Sequence, residues 1–114
     1  MTTALHLSEA AFQRQIVELA ELQGWHVWFD PPPLPCRNCG AVTVDPRRRG
    51  YPDLEILRGA VMLRLELKSE KGRARDEQKA YIGRLKLVQQ VYADIVRPAD
   101  FDSVADVLKA RALW

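Results

Sequence analysis

The chain has 114 residues, the length of one ordinary domain and too few for two. Hydrophobic residues make up 47% and charged residues 28%, a balance typical of a folded protein and not of a disordered one. The net charge of +2 is too small to indicate a nucleic-acid partner by itself. No apolar run approaches the roughly 18 residues of a membrane span, and the first ten residues do not resemble a secretion signal. We therefore expect a single cytoplasmic domain over residues 1–114, with no membrane partner.

The first third of the chain predicts a helix followed by a short strand. Ser8 is a suitable N-cap, and Gly24 provides a stop, which places the helix at about residues 9–23. Its inward face has helical spacing and consists of Phe12, Ile16, Leu19 and Ala20. Residues 25–29 are aromatic and β-branched and predict a strand. Its aromatic residues, expected in the core and not as a base-stacking platform, are Trp25, Trp28 and Phe29.

Residues 30–52 separate this strand from the next one and predict a long loop. The stretch contains four prolines near its start, two cysteines and three consecutive arginines. Loops longer than about 12 to 15 residues inside a compact domain are uncommon and often functional. We interpret this insert as a binding loop.

The remaining elements are a hairpin, a helix, a strand and a last helix. Residues 53–58 and 61–68 are strand-like and are separated by Gly59 and Ala60, which suits a two-residue turn. Residues 75–90 predict a helix with a broad apolar face, and residues 92–97 predict a buried strand. Asp100 is expected to cap the last helix, whose inward residues are Val104, Val107, Leu108 and Ala112. The order α-β-β-β-α-β-α indicates a mixed sheet flanked by helices, in the α/β or α+β class.

The hairpin brings two carboxylates together. In the second strand Leu63, Leu65 and Leu67 share the apolar face, so Glu66 and Lys68 project from the other one. With a two-residue turn at residues 59–60, Arg58 faces Val61, and each further pair has residue numbers that add up to 119. Asp53 therefore lies opposite Glu66. Opposed like charges are destabilising, so a cation is expected between them. Either the Lys68 ammonium or a divalent ion such as Mg²⁺ would serve.

A solvated polar face is the simpler alternative. Glu55 and Arg64 would then form an exposed ion pair across the same hairpin, a kind of contact that contributes little. The functional interpretation is favoured because three features coincide: Pro52-Asp53, then Glu66-x-Lys68, and a basic loop in front of both.

These residues resemble the PD-(D/E)xK nuclease pattern, and the longer arrangement is similar to its VRR-NUC branch. The similarity covers roughly residues 8–97 and is carried by Ser8-Glu9, Gly50-Tyr51-Pro52-Asp53, Glu66-Leu67-Lys68 and Gln78. The family core has the order α-β-β-β-α-β, which agrees with the order predicted independently above. The insert at residues 30–52 is a departure from a minimal member.

The resemblance implies roles for the residues of the site. Asp53, Glu66 and the backbone carbonyl of Leu67 would bind Mg²⁺ or Mn²⁺, and Glu9 would reach the metal directly or through water. Lys68 and Gln78 would act on the attacking water and the scissile phosphate. Lys68 could orient the water, stabilise the transition state or act as a base, and the sequence does not choose among these roles.

Basic residues flank the carboxylates on both sides. They are Arg47, Arg48 and Arg49 before the site, and Lys71, Arg73 and Arg75 after it. Such clusters fit contacts to phosphates, although solvated loop charge is an equal reading for any single arginine. Nothing resembles a base-reading helix, so recognition of backbone shape is expected.

The cysteine pair Cys36-x-x-Cys39 resembles half of a zinc knuckle. His6, His26 or a second subunit could complete four ligands. Reduced thiols or a disulfide within the loop are favoured over structural Zn²⁺.

The sequence therefore predicts a metal-dependent DNA endonuclease, selective for branched or four-way junction DNA and active as a homodimer. Two rival functions differ in class. One is a nucleic-acid-binding module of the same fold that does not cleave. The other is a small zinc-linked assembly protein whose acidic hairpin is incidental.

Overall fold

The computed structural model describes residues 7–29, 37–41 and 52–110. Within them the elements are α1 (Glu9–Leu22), β1 (His26–Phe29), β2 (Leu54–Arg58), β3 (Val61–Leu67), α2 (Asp76–Leu85), β4 (Val91–Val96), a 3₁₀ turn (Pro98–Asp100) and α3 (Phe101–Lys109). The predicted element order is confirmed. The described part is a small α+β fold with a four-stranded mixed sheet and three α-helices.

The four described strands lie in the order β1-β2-β3-β4. The first three are antiparallel neighbours, whereas β4 runs parallel to β3 after the crossover through α2. Glu55 pairs with Arg64 and Arg58 with Val61, which confirms the predicted hairpin register. The prediction of a buried fourth strand was wrong in part, because β4 lies at the edge of the sheet and leaves Tyr92 37% exposed.

The hydrophobic core lies on one face of this sheet, under α1 and α3. Ser8 caps α1 as predicted, since its Oγ accepts a hydrogen bond from the Ala11 N–H at 3.2 Å. The core residues from the helices and strands include Phe12, Ile16, Ala20, Leu54, Ile56, Leu63, Leu65, Leu67, Val104 and Leu108. Alternation along β3 points Glu66 to the opposite face, where α2 packs against β3 and β4.

Helix α2 is shorter than the sequence indicates. It ends at Leu85 instead of residue 90, because the chain turns back through residues 86–90 to start β4. Gln90 completes that turn with a positive φ of 63°. Leu87 and Val88, which lie inside the predicted helix but after the observed one, are exposed.

The aromatic residues of β1 also differ from expectation. Only Trp25, which precedes the strand, is buried, and its indole N–H donates to the Leu108 carbonyl at 2.7 Å. Trp28 and Phe29 are 49% and 44% exposed. Among the described strands β1 lies at one edge, so its side chains have a described neighbouring strand on one side only.

The last helix buries Val104 and Leu108 as predicted, with Val107 partly buried against the core. Asp100 does not cap this helix through its side chain. Its Oδ2 instead accepts a hydrogen bond from the Arg97 N–H at 2.9 Å and stabilises the 3₁₀ turn. Ala112 lies outside the described residues.

Most of the insert at residues 30–52 also lies outside them, apart from residues 37–41 and Pro52. In the described part, no helix is long and apolar enough to cross a membrane.

Candidate metal and phosphodiester site

The candidate site lies where the β2–β3 hairpin opens, at the end remote from its turn. Asp53 comes immediately before β2, and Glu66 and Lys68 lie at the end of β3. The Leu67 N–H donates to Asp53 Oδ2 at 2.9 Å and holds this carboxylate beside β3, one position beyond the last strand pair. The register argument therefore placed Asp53 and Glu66 together correctly.

The backbone of Leu67 contributes a second oxygen on the same side. The N–H and C=O of one residue in a strand point to the same edge. Because the Leu67 N–H points to Asp53, its carbonyl is directed to that edge as well. The carboxyl groups of Asp53 and Glu66 and the Leu67 carbonyl therefore lie at the same end of the hairpin.

Glu66 is 2% exposed, although strand alternation alone predicted a polar face directed away from the core. Helix α2 covers it, and Gln78 Nε2 donates to Glu66 Oε2 at 2.8 Å. Lys68 Nζ lies 3.7 Å from the same oxygen. The other oxygen, Oε1, is buried without any hydrogen-bond donor. A buried oxygen of this kind costs free energy unless a proton or a cation meets it.

The electrostatics agree with this geometry. The pKa of Glu66 is raised from 4.5 to about 8, chiefly because burial disfavours its charged form. The charge of Asp53 raises the pKa further, as does the hydrogen bond that a protonated Glu66 would make to the Asp53 carboxylate, and the charge of Glu9 adds to the effect. The ammonium of Lys68 lowers the pKa and only partly compensates. Because one lysine does not neutralise both carboxylates, the site without a metal ion takes up a proton near neutral pH.

Gln78 uses both ends of its amide inside the protein. Its Nε2 donates to Glu66, and its Oε1 accepts a hydrogen bond from the Arg75 N–H at 2.9 Å, at the start of α2. This buried amide thus fixes the Glu66 carboxylate to the helix that covers it. These contacts are those of a positioning residue for Glu66. The predicted role of Gln78 on the attacking water and the scissile phosphate stays a prediction.

The loop that follows Lys68 is held by a residue that the sequence did not single out. Arg97 Nη1 donates to the Ser69 carbonyl at 2.8 Å and to the Gly72 carbonyl. Glu70 accepts a hydrogen bond from the Ala99 N–H at 3.0 Å. These contacts join the β3–α2 loop to the end of β4. They connect residues more than 20 positions apart, so no local pattern marks Arg97 as a loop anchor.

Glu9, which the family resemblance places at the metal directly or through water, lies on the same side of the molecule as Glu66 in its electrostatic effect. It is exposed at the start of α1, and its charge reaches Glu66. Across residues 7–29, 37–41 and 52–110, no group of three or more His, Cys, Asp or Glu side chains is arranged to hold a metal ion. The residues that could offer oxygens to a cation are Asp53 and Glu66, with the Leu67 carbonyl as a third donor. Hard oxygen donors of this kind suit Mg²⁺ or Mn²⁺.

The described basic residues lie beyond this site, in the β3–α2 loop and at the start of α2. Lys71, Arg73 and Arg75 are all exposed. Arg47, Arg48 and Arg49 lie outside the described residues, and their predicted contacts with DNA stay a prediction. The same holds for the zinc half-site, because Cys36 is outside them and Cys39 is an exposed free thiol.

Comparison of the chain with protein-family models, curated proteins and solved structures found no match. The VRR-NUC resemblance therefore depends on the residues quoted above and on the site that they form.

Proposed function

We propose that this protein is a metal-dependent DNA endonuclease of the PD-(D/E)xK type, similar to the VRR-NUC branch. The observation that carries the proposal is the buried Glu66 Oε1 without a donor, next to the Asp53 carboxylate. A core that only needed stability would gain from a neutral or paired residue at this position. A divalent cation in place of a proton would meet this oxygen and let both carboxylates ionise.

Asp53, Glu66 and the Leu67 carbonyl would hold Mg²⁺ or Mn²⁺. Glu9, which is exposed at the start of α1, would contribute through water. When bound, the ion would supply charge stabilisation at the phosphoryl oxygens and a water of lowered pKa.

The protein side chains have distinct tasks in this scheme. Lys68 lies 3.7 Å from Glu66 and is only 12% exposed, so its ammonium is held at the edge of the site. It would contact the attacking water or a phosphoryl oxygen on the substrate. Gln78 keeps Glu66 in place through its 2.8 Å hydrogen bond. Arg97 keeps the loop after Lys68 in place through the Ser69 and Gly72 carbonyls.

Cleavage of four substrates tests the proposal directly. The full chain is incubated with linear duplex, single-stranded, flap and four-way junction DNA in Mg²⁺ or Mn²⁺. A Lys68→Ala protein prepared in parallel controls for contaminating nucleases. We expect metal-dependent cuts by the wild type alone, with preference for branched DNA. Equal rates for both proteins would overturn the assignment.

Two other results would favour the rival functions. DNA binding that persists in a chelator, with no cleavage in any divalent metal, would indicate a non-cleaving module. Stoichiometric zinc without affinity for DNA would indicate a zinc-linked assembly protein.

We further propose that the active unit is a homodimer. One carboxylate cluster cuts one strand, whereas symmetric cleavage of a four-way junction requires two sites related by a two-fold axis. Leu113 and Trp114, the apolar residues considered for this interface, lie outside the described part of the chain. Light scattering at micromolar concentration tests the dimer, and paired nicks on opposite junction arms test the symmetry. A strict monomer that cuts linear and branched DNA equally would contradict both, while the nuclease assignment would stand.

A further inference from the structure

The sheet face that carries Glu66 is only half covered by the described helices. Helix α2 packs on its β3 and β4 side, while α1 and α3 pack on the opposite face over the core. On the β1 and β2 side of the Glu66 face lies Trp28, with 49% of its surface exposed. A large aromatic side chain thus lies on an uncovered part of the sheet beside the candidate site.

The strand register fixes the position of Trp28 relative to the carboxylates. Trp28 pairs with Glu55, and Glu55 pairs with Arg64, so these three side chains share one face. Glu66 follows Arg64 by two residues and points to the same face. Two strand spacings and two residues of strand separate Trp28 from Glu66, roughly 12 Å between Cα atoms. A nucleic-acid strand with its phosphate at Glu66 would bring a nucleotide within a few positions of the cut over Trp28.

The local charge indicates which part of a nucleotide would lie there. Arg64 Nη1 is 3.5 Å from Glu55 Oε1, so the two charges between Trp28 and Glu66 pair with each other. This surface does not attract a phosphate strongly. An exposed indole ring instead offers a face on which a nucleobase can stack, and every base has such a face.

We propose that Trp28 is a stacking platform for an unpaired nucleobase, next to the phosphodiester bond cut at the Asp53 and Glu66 site. A base inside a duplex is already stacked on its neighbours and cannot use this surface. The preferred substrate class is therefore DNA with a single-stranded or unpaired nucleotide beside the cut, as in a flap or an open branch point. The proposal rests on the nuclease function and names the feature of branched DNA that the enzyme recognises.

Binding to DNA with single abasic sites tests this proposal without requiring catalysis. Labelled flap DNA carries one abasic nucleotide, moved in steps across the junction, and affinities are measured in a chelator. We expect one position to weaken wild-type binding roughly tenfold, the size of one lost stacking contact. Trp28→Ala should bind intact flap DNA more weakly than the wild type by the same factor. An abasic nucleotide at that position should not weaken its binding further. Trp28→Phe should retain most of the affinity and the sensitivity.

Tyr92→Ala is the matched control. Tyr92 is also an exposed aromatic residue, but it lies on β4 and is paired with Leu63, whose side chain is on the core face. We expect Tyr92→Ala to bind intact flap DNA as the wild type does and to show the same loss of affinity at the sensitive abasic position.

The outcomes separate the two proposals. Equal effects of every abasic position on the wild type and on Trp28→Ala would overturn the stacking proposal, as would no binding to any DNA. If no DNA is cut in Mg²⁺ or Mn²⁺, but one abasic position still weakens binding by the wild type and not by Trp28→Ala, the nuclease proposal would be overturned. The stacking surface would remain.

Discussion

Each end of the β2–β3 hairpin has a charged side chain packed against the protein, a half-buried arginine at the turn and a buried glutamate at the open end, and their surroundings are opposite in kind. At the turn end, the Arg58 guanidinium lies 4.2 Å from the centre of the Trp25 ring. It donates to the Gln23 carbonyl at 2.9 Å and to the Ala110 carbonyl. At the open end, Glu66 has one oxygen without a donor and a neighbouring carboxylate.

These surroundings indicate a stabilising role for Arg58 and a functional role for Glu66. Arg58 satisfies backbone carbonyls at the ends of α1 and α3, which otherwise have no partner within their helices, so its charge joins three elements. Glu66 has unfavourable neighbours that only a cation or a proton relieves. Perturbed and incompletely paired groups of this kind concentrate at functional sites. We therefore expect substitutions at the turn end to change unfolding and those at the open end to change cleavage.

The largest effect should come from the carboxylates and the lysine. Asp53→Ala, Glu66→Gln and Lys68→Ala should each lower the cleavage rate by roughly 100-fold or more, because each removes charge stabilisation at the reacting phosphate. Circular dichroism should show an unchanged fold. Glu66→Gln is chosen over alanine because Glu66 is buried and an alanine would leave a cavity. Wild-type cleavage rates in all three variants would contradict the site.

The next effect concerns the turn end. Arg58→Ala should lower the free energy of unfolding by about 3 kcal/mol, since it removes a cation–π contact and leaves carbonyls without a donor. Denaturant unfolding measures the loss. Arg84→Ala, which removes an exposed arginine from α2, should change it by less than about 0.5 kcal/mol. The folded Arg58→Ala protein should cleave DNA at the wild-type rate. A loss of cleavage without a loss of stability would contradict the assignment of the turn end to stability.

The third prediction is a pH dependence of stability in the metal-free protein. The Glu66 pKa is about 8 in the folded protein against an ordinary value of 4.5, so the folded state holds this proton more tightly. Its contribution to stability is therefore greatest below about pH 4.5 and declines up to about pH 8. The decline is at most roughly 1.4 kcal/mol per pH unit for one proton. Unfolding in a chelator across this range should show it.

Two variants check the origin of that slope. Glu66→Gln should remove the decline, because glutamine has no proton to lose in this range. Glu55→Gln, which changes a carboxylate on the same face that is paired with Arg64, should leave the slope in place. An identical slope in wild type and Glu66→Gln would assign the effect to other groups.

The smallest effect on cleavage should come from Glu9. Glu9→Ala should reduce the rate less than the changes at Asp53 or Glu66, because this exposed residue lies outside the closest set of oxygens. Mn²⁺ should restore part of the loss, since it tolerates an incomplete ligand set better than Mg²⁺. Glu18→Ala, at an exposed position further along α1, serves as the control. A complete loss that Mn²⁺ does not relieve would place Glu9 among the direct ligands.

The sequence was sufficient for the features that depend on short-range geometry. The Ser8 cap and the spacing of Phe12 and Ile16 predicted α1, because helix periodicity and capping act within a few residues. The two-residue turn at Gly59, where φ is 61°, determined the hairpin register. That register was enough to bring Asp53 beside Glu66.

Only the tertiary structure decided what covers each face. Strand alternation separates the two faces of a sheet but does not say which helix packs on which half. The crossover through α2 buried Glu66 and bonded it to Gln78, whereas the position of β1 at the sheet edge left Trp28 exposed. Arg97 acquired its loop-anchoring role in the same way, through contacts with distant residues. Burial depends on which helices pack on which part of the sheet. The burial and the pKa of Glu66 therefore could not be predicted from the sequence of β3 alone.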